Sequence, residues 1–177
     1  MPTLQLYAST THAELRFKDI TLMPTIVDCE KVEQYLHQHI PLSRTMAISV
    51  TAIDESGIII SAPLLPNINH RSTAFGGSIS AVAILSAWTF VHVRLQILSI
   101  PCRIVIQSNS VEYVMPIEEE FQAHCINPPQ QNWERFISAV SKRGKGRIIL
   151  NAKVYSRGVL SAIFQGEYVA IKLENAT

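Results

Sequence analysis

The sequence has few cysteines, and they are far apart. Its 177 residues include three, Cys29, Cys102 and Cys125, with no CxxC spacing among them. An odd number of distant cysteines argues against a disulfide framework and against a structural zinc site. His37 and His39 make a poor metal pair, because side chains two positions apart on a helix face different directions. We therefore expect no metal and a reducing, cytoplasmic setting.

The chain also lacks an excess of one charge sign. Fifteen Lys and Arg residues stand against fourteen Asp and Glu, which gives a formal net charge of +1. The electrostatic footprint of a nucleic-acid binder is therefore missing, and any anionic partner must be met locally. Such a partner could be a nucleotide phosphate or the acidic face of a protein, although a solvated turn is the equally good alternative. The candidate residues, called the basic cluster below, are Lys142, Arg143, Lys145 and Arg147.

Long hydrophobic runs are absent. The longest apolar stretch, residues 79–91, is 13 residues broken by hydroxyl side chains, against the roughly 20 needed to cross a bilayer. The first residues have no charged segment leading into an apolar run, so they do not resemble a secretory signal. We expect no membrane partner. The 47% hydrophobic content allows a substantial core, and the length fits one domain, residues 28–177, after an N-terminal extension of residues 1–27.

The hydrophobic periodicity predicts an α+β domain. An amphipathic helix capped by Asp28 ends at Pro41, and a β-hairpin with its turn at residues 54–57 comes next. Residues 73–98 are apolar on nearly every side, which is typical of a buried helix. About four antiparallel strands follow, with a short helix over residues 132–142 between two of them. A sheet in this order needs another element packed against its apolar face, and we expect the apolar helix to be that element.

Two adjacent glycines, Gly76 and Gly77, lie where the apolar helix begins. A helix N-terminus presents unpaired N–H groups and about half a positive charge. Glycines there lack side chains, so a ligand can approach these N–H groups closely. This combination favours an oxyanion site for carbonyl chemistry, in which one well-aimed donor can contribute about 3 to 4 kcal/mol to a transition state. The alternative is that the glycines only permit tight packing of the helix on a strand.

The motif around these glycines resembles a known family. PNIN at residues 66–69 and TAFGGS at residues 73–78, followed by the long apolar helix, look like the branch of the hotdog superfamily described as putative thioesterases. That branch also forms the C-terminal domain of YiiD-type proteins. SNSVEYVMP at residues 108–116 and the closing segment 144–169 are similar to further parts of the pattern. The resemblance covers roughly residues 30–173.

The resemblance implies a hotdog fold, in which a curved antiparallel β-sheet wraps one long buried central helix. It also implies a homodimer, or a tetramer built from dimers, that binds acyl-CoA or acyl-carrier-protein thioesters where two subunits meet. No cofactor is implied beyond the pantetheine arm of the substrate. Asn69 falls on the loop asparagine that contacts the thioester, and Gly76 and Gly77 on the amides that face its oxygen; an asparagine that only shapes the loop is the alternative. The candidate substrate-binding residues are Thr73, Phe75, Ser78, Asn109, Tyr113, Arg143, Lys145 and Arg147.

The pattern departs from the better-known HGG branch at two positions. That branch has a histidine before the glycines and an aspartate about two turns into the helix, where this chain has Phe75 and Ile84. Indeed, no Asp or Glu occurs between Glu55 and Glu112. Hydrolysis uses a water activated by a general base, which typically contributes about 10²- to 10⁴-fold. A conventional thioesterase mechanism is therefore handicapped here.

Three functions stay open on this evidence. The first, which survives the most outcomes, is hydrolysis of an acyl thioester. The second is decarboxylation of a malonyl thioester, because the same branch includes malonyl-carrier-protein decarboxylases and an enolate needs oxyanion donors but no base. The third is a non-catalytic module that binds an acyl thioester. A serine nucleophile is disfavoured, since Ser80 stands where the final glycine of a GxSxG motif belongs.

Overall fold

The computed structural model describes residues 27–173, so residues 1–26 of the predicted extension lie outside it. The elements follow the predicted order, with one additional short helix that begins at Pro41, where the sequence analysis expected only an end to the first helix. The helices are α1 (Cys29–His39), α2 (Pro41–Thr45), α3 (Gly76–Ile97) and α4 (Gln130–Arg143). The strands are β1 (Ser49–Asp54), β2 (Gly57–Ala62), β3 (Cys102–Tyr113), β4 (Phe121–Ile126), β5 (Lys145–Ser156) and β6 (Val159–Lys172).

The six strands form one sheet in the order β1-β2-β4-β5-β6-β3, and every pairing in it is antiparallel. The long helix α3 packs against five of the strands, from β2 to β6. Cross-strand neighbours share a face of a sheet, so the buried alternate residues of β5 and β6 lie on the face that carries α3 and α4. This confirms the predicted α+β hotdog arrangement of an antiparallel sheet around one central helix.

Burial of α3 follows from its composition. By length and composition the helix could cross a membrane, but 61% of its most apolar window is buried inside the fold, so the sheet uses its apolar surface. Ser86 satisfies its buried hydroxyl by donating to Ala83 O at 2.9 Å, and Tyr168 of β6 donates to Ile84 O at 2.8 Å. The helix begins three residues later than its apolar pattern predicts, because Phe75 is still extended, with φ −67° and ψ 131°.

The two edges of the sheet differ. Side chains of α1 cover the β1 edge: the Glu33 carboxylate accepts from Val50 N–H at 3.0 Å, and His37 Nε2 and Ile48 O are 3.1 Å apart. At the other edge β3 pairs only with β6, and within residues 27–173 no strand lies on its outer side. Unpaired edge strands present rows of N–H and C=O groups that pair readily with another chain. The twelve-residue β3 is therefore the open edge.

Four stacked rings join α1 to α3. Tyr35 stacks on His39 and on His92, with ring centroids 4.1 and 4.6 Å apart, and His92 stacks on Trp88 at 4.8 Å. The Trp88 indole N–H donates in turn to Ile104 O of β3 at 3.2 Å. Burial, with a smaller contribution from the charge of His39, holds the pKa of His92 below its ordinary value. The ring column therefore favours the neutral imidazole of His92.

Acid should destabilise the protein partly through His92. The pKa of His92 is lower in the folded than in the unfolded chain. Just below about pH 6.5 the unfolded chain therefore binds more protons than the folded chain, so the free energy of unfolding decreases as the pH is lowered. We expect the His92→Phe variant, which keeps a ring in the column, to lose less stability between about pH 7.5 and 5.5. Urea denaturation at each pH measures this difference. An equal loss in the two proteins would contradict the assignment.

Candidate active site

The candidate site is the opening turn of α3, where the two predicted glycines lie. No side chain caps this turn. Ile79 N–H, which donates to Phe75 O at 3.0 Å, is the first of the helix to have an acceptor. Within the described part of the chain, the N–H groups of Gly76, Gly77 and Ser78 donate to no protein atom. These three donors and the positive end of the helix dipole are available to a ligand.

Two short backbone hydrogen bonds hold the residues just before the turn. Phe75 N–H donates to Asn67 O, and Ala74 N–H donates to Ile117 O, each at 2.7 Å. Ala74 also forms an isolated antiparallel bridge with Ile68. The loop is thus fastened on both sides by donors that precede the turn, and the donors of the turn itself stay free.

Aromatic rings flank the two glycines. Tyr113, at the end of β3, donates its hydroxyl to Gly76 O at 2.9 Å, and its ring lies 3.4 Å from where a Cβ on Gly76 would stand. A Cβ on Gly77 would lie only 2.3 Å from the ring of Phe75, which is 57% exposed. At Gly77 the missing side chain therefore makes room for the Phe75 ring, and at Gly76 it lets Tyr113 of β3 pack closely, as the packing alternative expects.

Asn69 shapes the loop before the turn. Its Oδ1 accepts from Arg71 N–H at 2.7 Å and from Thr73 N–H at 3.3 Å. Its Nδ2 donates to Thr73 Oγ1 at 2.9 Å, and the second amide hydrogen has only a 3.4 Å contact with Ala74 O. The carboxamide is thus held in one orientation with one hydrogen weakly bound. The loop-shaping alternative accounts for most of its contacts.

Asn67 is the residue that the sequence analysis missed. Its side chain is 1% exposed, and its Nδ2 donates to Met46 O at 2.9 Å and to Pro63 O at 2.8 Å. These bonds tie the loop to the segment before β1 and to the end of β2, while the Asn67 carbonyl holds Phe75. The available signal was an amide side chain between Pro66 and an isoleucine, although it does not distinguish Asn67 from Asn69.

Asn109 and Tyr113 lie on the same face of β3, the face turned toward α3. Asn109 pairs with Gly166 and Tyr113 with Ala162, and both of these β6 residues are buried on the helix-facing side. A bulge between Ile106 and Ser108 precedes them. The far end of β3 therefore brings two of the predicted substrate-binding residues to the side of the sheet where α3 begins.

The basic cluster lies far from the opening turn within one subunit. Arg147 pairs with Val169 of β6, whereas Tyr113 pairs with Ala162 of the same strand. Seven strand residues separate these two positions, which corresponds to about 23 Å. No ion pair within 4.0 Å joins the cluster to a carboxylate of residues 27–173. Three of its members line a groove of about 530 Å³ between α4 and β5: Arg143, Lys145 and Arg147.

The Asn67→Ala variant should be less stable than the Asn69→Ala variant. Removing Asn67 takes the side-chain donor from the buried carbonyl of Met46 and from the part-buried carbonyl of Pro63, which we expect to cost about 2 to 3 kcal/mol. Asn69 lies in a half-exposed loop, and its loss should cost about 1 kcal/mol. Equilibrium urea denaturation measures both. An Asn67→Ala protein as stable as the parent would show that Asn67 does not anchor this loop.

Known proteins resemble this chain in sequence and in fold. The family YiiD_C, described as "Putative thioesterase (yiiD_Cterm)", matches residues 29–172. A crystal structure of a protein with unknown function from Chlorobaculum tepidum TLS is 30% identical, with a TM-score of 0.78 over 82% of this chain and 94% of that chain. A "putative thioesterase" from Shewanella oneidensis is 28% identical, with a TM-score of 0.73 over 81% of this chain and 96% of that chain.

A more distant structure shares the fold alone. It is a Pseudomonas aeruginosa protein of unknown function described as a "probable thioesterase", 12% identical, with a TM-score of 0.69 over 83% of this chain and 97% of that chain. The family match spans most of the chain and includes the opening turn of α3. This chain therefore belongs to the YiiD_C family of hotdog-fold proteins described as putative thioesterases.

Proposed function

We propose that this chain binds the acyl thioester of a pantetheine arm and hydrolyses it at the opening turn of α3. The observation that carries the proposal is the pair of amide hydrogens of Gly76 and Gly77, which have no acceptor in the described chain. A thioester oxygen gains negative charge when its carbonyl carbon is attacked, and fixed donors stabilise that charge. Membership of the family supports a thioesterase type of activity.

Asn69 is suited to complete the set of donors. Its loop holds the carboxamide through Oδ1, and Nδ2 keeps one hydrogen with only a 3.4 Å contact. A donor that is already oriented needs no reorganisation during the reaction. We therefore assign Asn69 a donor role beside the amides of Gly76 and Gly77.

Hydrolysis at this site has to proceed without a carboxylate from α3. A water oxygen attacks the carbonyl carbon, the C–S bond breaks, and the thiol leaves with a proton that the water gives up. No Asp or Glu lies between Glu55 and Glu112, so solvent rather than a side-chain carboxylate of α3 carries that proton. Since a general base typically contributes about 10²- to 10⁴-fold, we expect slow turnover.

The same lack of a base favours a second candidate, decarboxylation of a malonyl thioester. The bond to the terminal carboxylate breaks, carbon dioxide leaves, and the electron pair forms an enolate whose charge rests on the thioester oxygen. A proton from water then gives the acetyl thioester. This reaction asks mainly for donors to the enolate oxygen, which the amides of Gly76 and Gly77 and the side chain of Asn69 would supply.

We also propose a homodimer that pairs through β3. Side chains of α1 cover the β1 edge, whereas the β3 edge is open, and Tyr113, Val114 and Met115 at its end are about half exposed. In an antiparallel pairing the start of one β3 lies beside the end of the other. The basic cluster of one subunit would then approach the opening turn of its partner and meet the phosphates of CoA or an acidic carrier protein.

A product assay distinguishes the candidate reactions. Purified protein is incubated with malonyl-carrier protein and with a series of acyl-CoAs, and free thiol and acetyl thioester are followed. We expect thiol release from acyl thioesters. Acetyl thioester without thiol would show decarboxylation in place of hydrolysis. If neither product formed, the third candidate, a non-catalytic module that binds the thioester, would be favoured.

The Asn69→Ala variant should lower kcat by about 10²-fold, the usual effect of losing one oxyanion donor. The matched control is Arg71→Ala, which removes an exposed side chain from the same loop but keeps the backbone N–H that donates to Asn69. We expect this control to stay within a few-fold of the parent. If Arg71→Ala were as damaging as Asn69→Ala, the shape of the loop rather than a donated hydrogen would explain the effect.

A further inference from the structure

The Tyr113 hydroxyl makes a hydrogen bond that neither the helix nor burial requires. It donates to Gly76 O at 2.9 Å. In a regular α-helix this carbonyl already accepts from the N–H group four residues further on. Tyr113 is 52% exposed, so water could satisfy its hydroxyl equally well. The bond therefore gives Gly76 O a second donor that is not needed to satisfy a buried polar group.

This carbonyl belongs to the same peptide unit as one of the free donors. A peptide unit is planar and joins the C=O of one residue to the N–H of the next, so Gly76 O and Gly77 N–H lie on opposite sides of one rigid group. Hydrogen bonds in a chain polarise and strengthen one another, by about 10 to 30% per bond. A donor at Gly76 O should therefore make Gly77 N–H a stronger donor to a ligand.

The other two free donors of the opening turn have no such support. The N–H groups of Gly76 and Ser78 share their peptide units with Phe75 O and Gly77 O. Within residues 27–173, neither of these two carbonyls accepts from a side chain. Of the three donors, Gly77 N–H is thus the one that is polarised from β3.

The backbone around Tyr113 holds its hydroxyl in this position. Tyr113 is the last residue of β3, which pairs with β6 up to this point. The next two N–H groups, those of Val114 and Met115, both donate to Ser161 O, at 2.8 and 3.2 Å. Ser161 itself is only 2% exposed. The phenol therefore extends from a backbone that is fastened on both sides, so its hydroxyl stays directed at the helix.

We infer that Tyr113 is a positioning residue for the reaction: through the Gly76 carbonyl it orients and strengthens the Gly77 N–H that stabilises the charge on the thioester oxygen. The inference rests on the proposed function, which places that oxygen at the opening turn. The hydroxyl does not act as an acid on the leaving thiol, because its one hydrogen is engaged by Gly76 O. Tyr113 thereby contributes to the reaction without giving up a proton.

Three proteins that differ only at residue 113 test this inference: the parent, Tyr113→Phe, and a variant with 3-fluorotyrosine, whose more acidic phenol is the stronger donor. Spectra are recorded with ¹⁵N-glycine at about pH 7, below the range in which phenols ionise. We expect the amide proton signal of Gly77 to move upfield in Tyr113→Phe and downfield with 3-fluorotyrosine, because all three proteins keep the ring and only the donor changes. Tyr155→Phe is the matched control, since it removes a hydroxyl from the face of the sheet turned away from α3.

The rate should follow the same order. Loss of a whole oxyanion donor costs about 10²- to 10³-fold. Weakening one donor by about 10 to 30% should therefore lower kcat about two- to eightfold in Tyr113→Phe, and 3-fluorotyrosine should raise kcat above that of the parent. KM should change less, because the charge develops in the transition state. The substrate is malonyl-carrier protein or acyl-CoA, whichever the product assay shows to be converted.

An unchanged Gly77 signal across these proteins would overturn the inference. A lower kcat in Tyr113→Phe with no change for 3-fluorotyrosine would also overturn it, since packing of the ring does not depend on the acidity of the phenol. If Tyr113→Phe does not fold, the 3-fluorotyrosine variant decides, because it only replaces a ring hydrogen by fluorine. Signals that move in the expected order in a protein that converts no thioester would contradict the proposed function alone, whereas conversion at one kcat in all three proteins would contradict this inference alone.

Discussion

Free backbone donors at the start of a buried helix are the feature on which the proposed function depends. The N–H groups of Gly76, Gly77 and Ser78 have no acceptor within residues 27–173. Such donors keep their direction only if other contacts hold the turn. Here the loop before it is fastened through the carbonyls of Asn67 and Ile117, while Tyr113 holds Gly76 from β3. The turn is therefore oriented by bonds that leave its own donors unused, which is the condition for an oxyanion site.

The opening turn is accessible because the two edges of the β-sheet are covered to different extents. The sheet buries α3 on most of its surface, and α1 covers the β1 edge with side-chain hydrogen bonds. The opening turn and β3 lie together at the other edge, where Tyr113 joins them. One asymmetry thus places the free donors of the opening turn beside a strand that has no second neighbour within residues 27–173. The ring column fixes Trp88, which in turn holds α3 to β3 by donating to Ile104 O.

Local sequence patterns were sufficient to predict most of the fold. The element order, the buried helix and the position of its glycines depend on periodicity and turn chemistry, and the structure confirms them. Long-range pairing decided the remainder. The Asn67 side chain is buried because it donates to the carbonyls of Met46 and Pro63. Met46 is 21 residues away, so the pattern around Asn67 cannot predict that bond. The distance of the basic cluster from the turn follows from the pairing of β5 with β6, and Pro41 starts the short helix α2 instead of simply ending α1.

The most direct test of the central claim observes the amides themselves. Labelling with ¹⁵N-glycine gives a spectrum of seven glycine signals, which can be followed during titration with a ketone analogue of an acyl-pantetheine, in which a methylene replaces the sulfur. The account predicts that the signals of Gly76 and Gly77 shift downfield with saturation, while that of Gly57, in the β1–β2 turn near the last turn of α3, stays in place. Saturable binding that leaves Gly76 and Gly77 unmoved would contradict it.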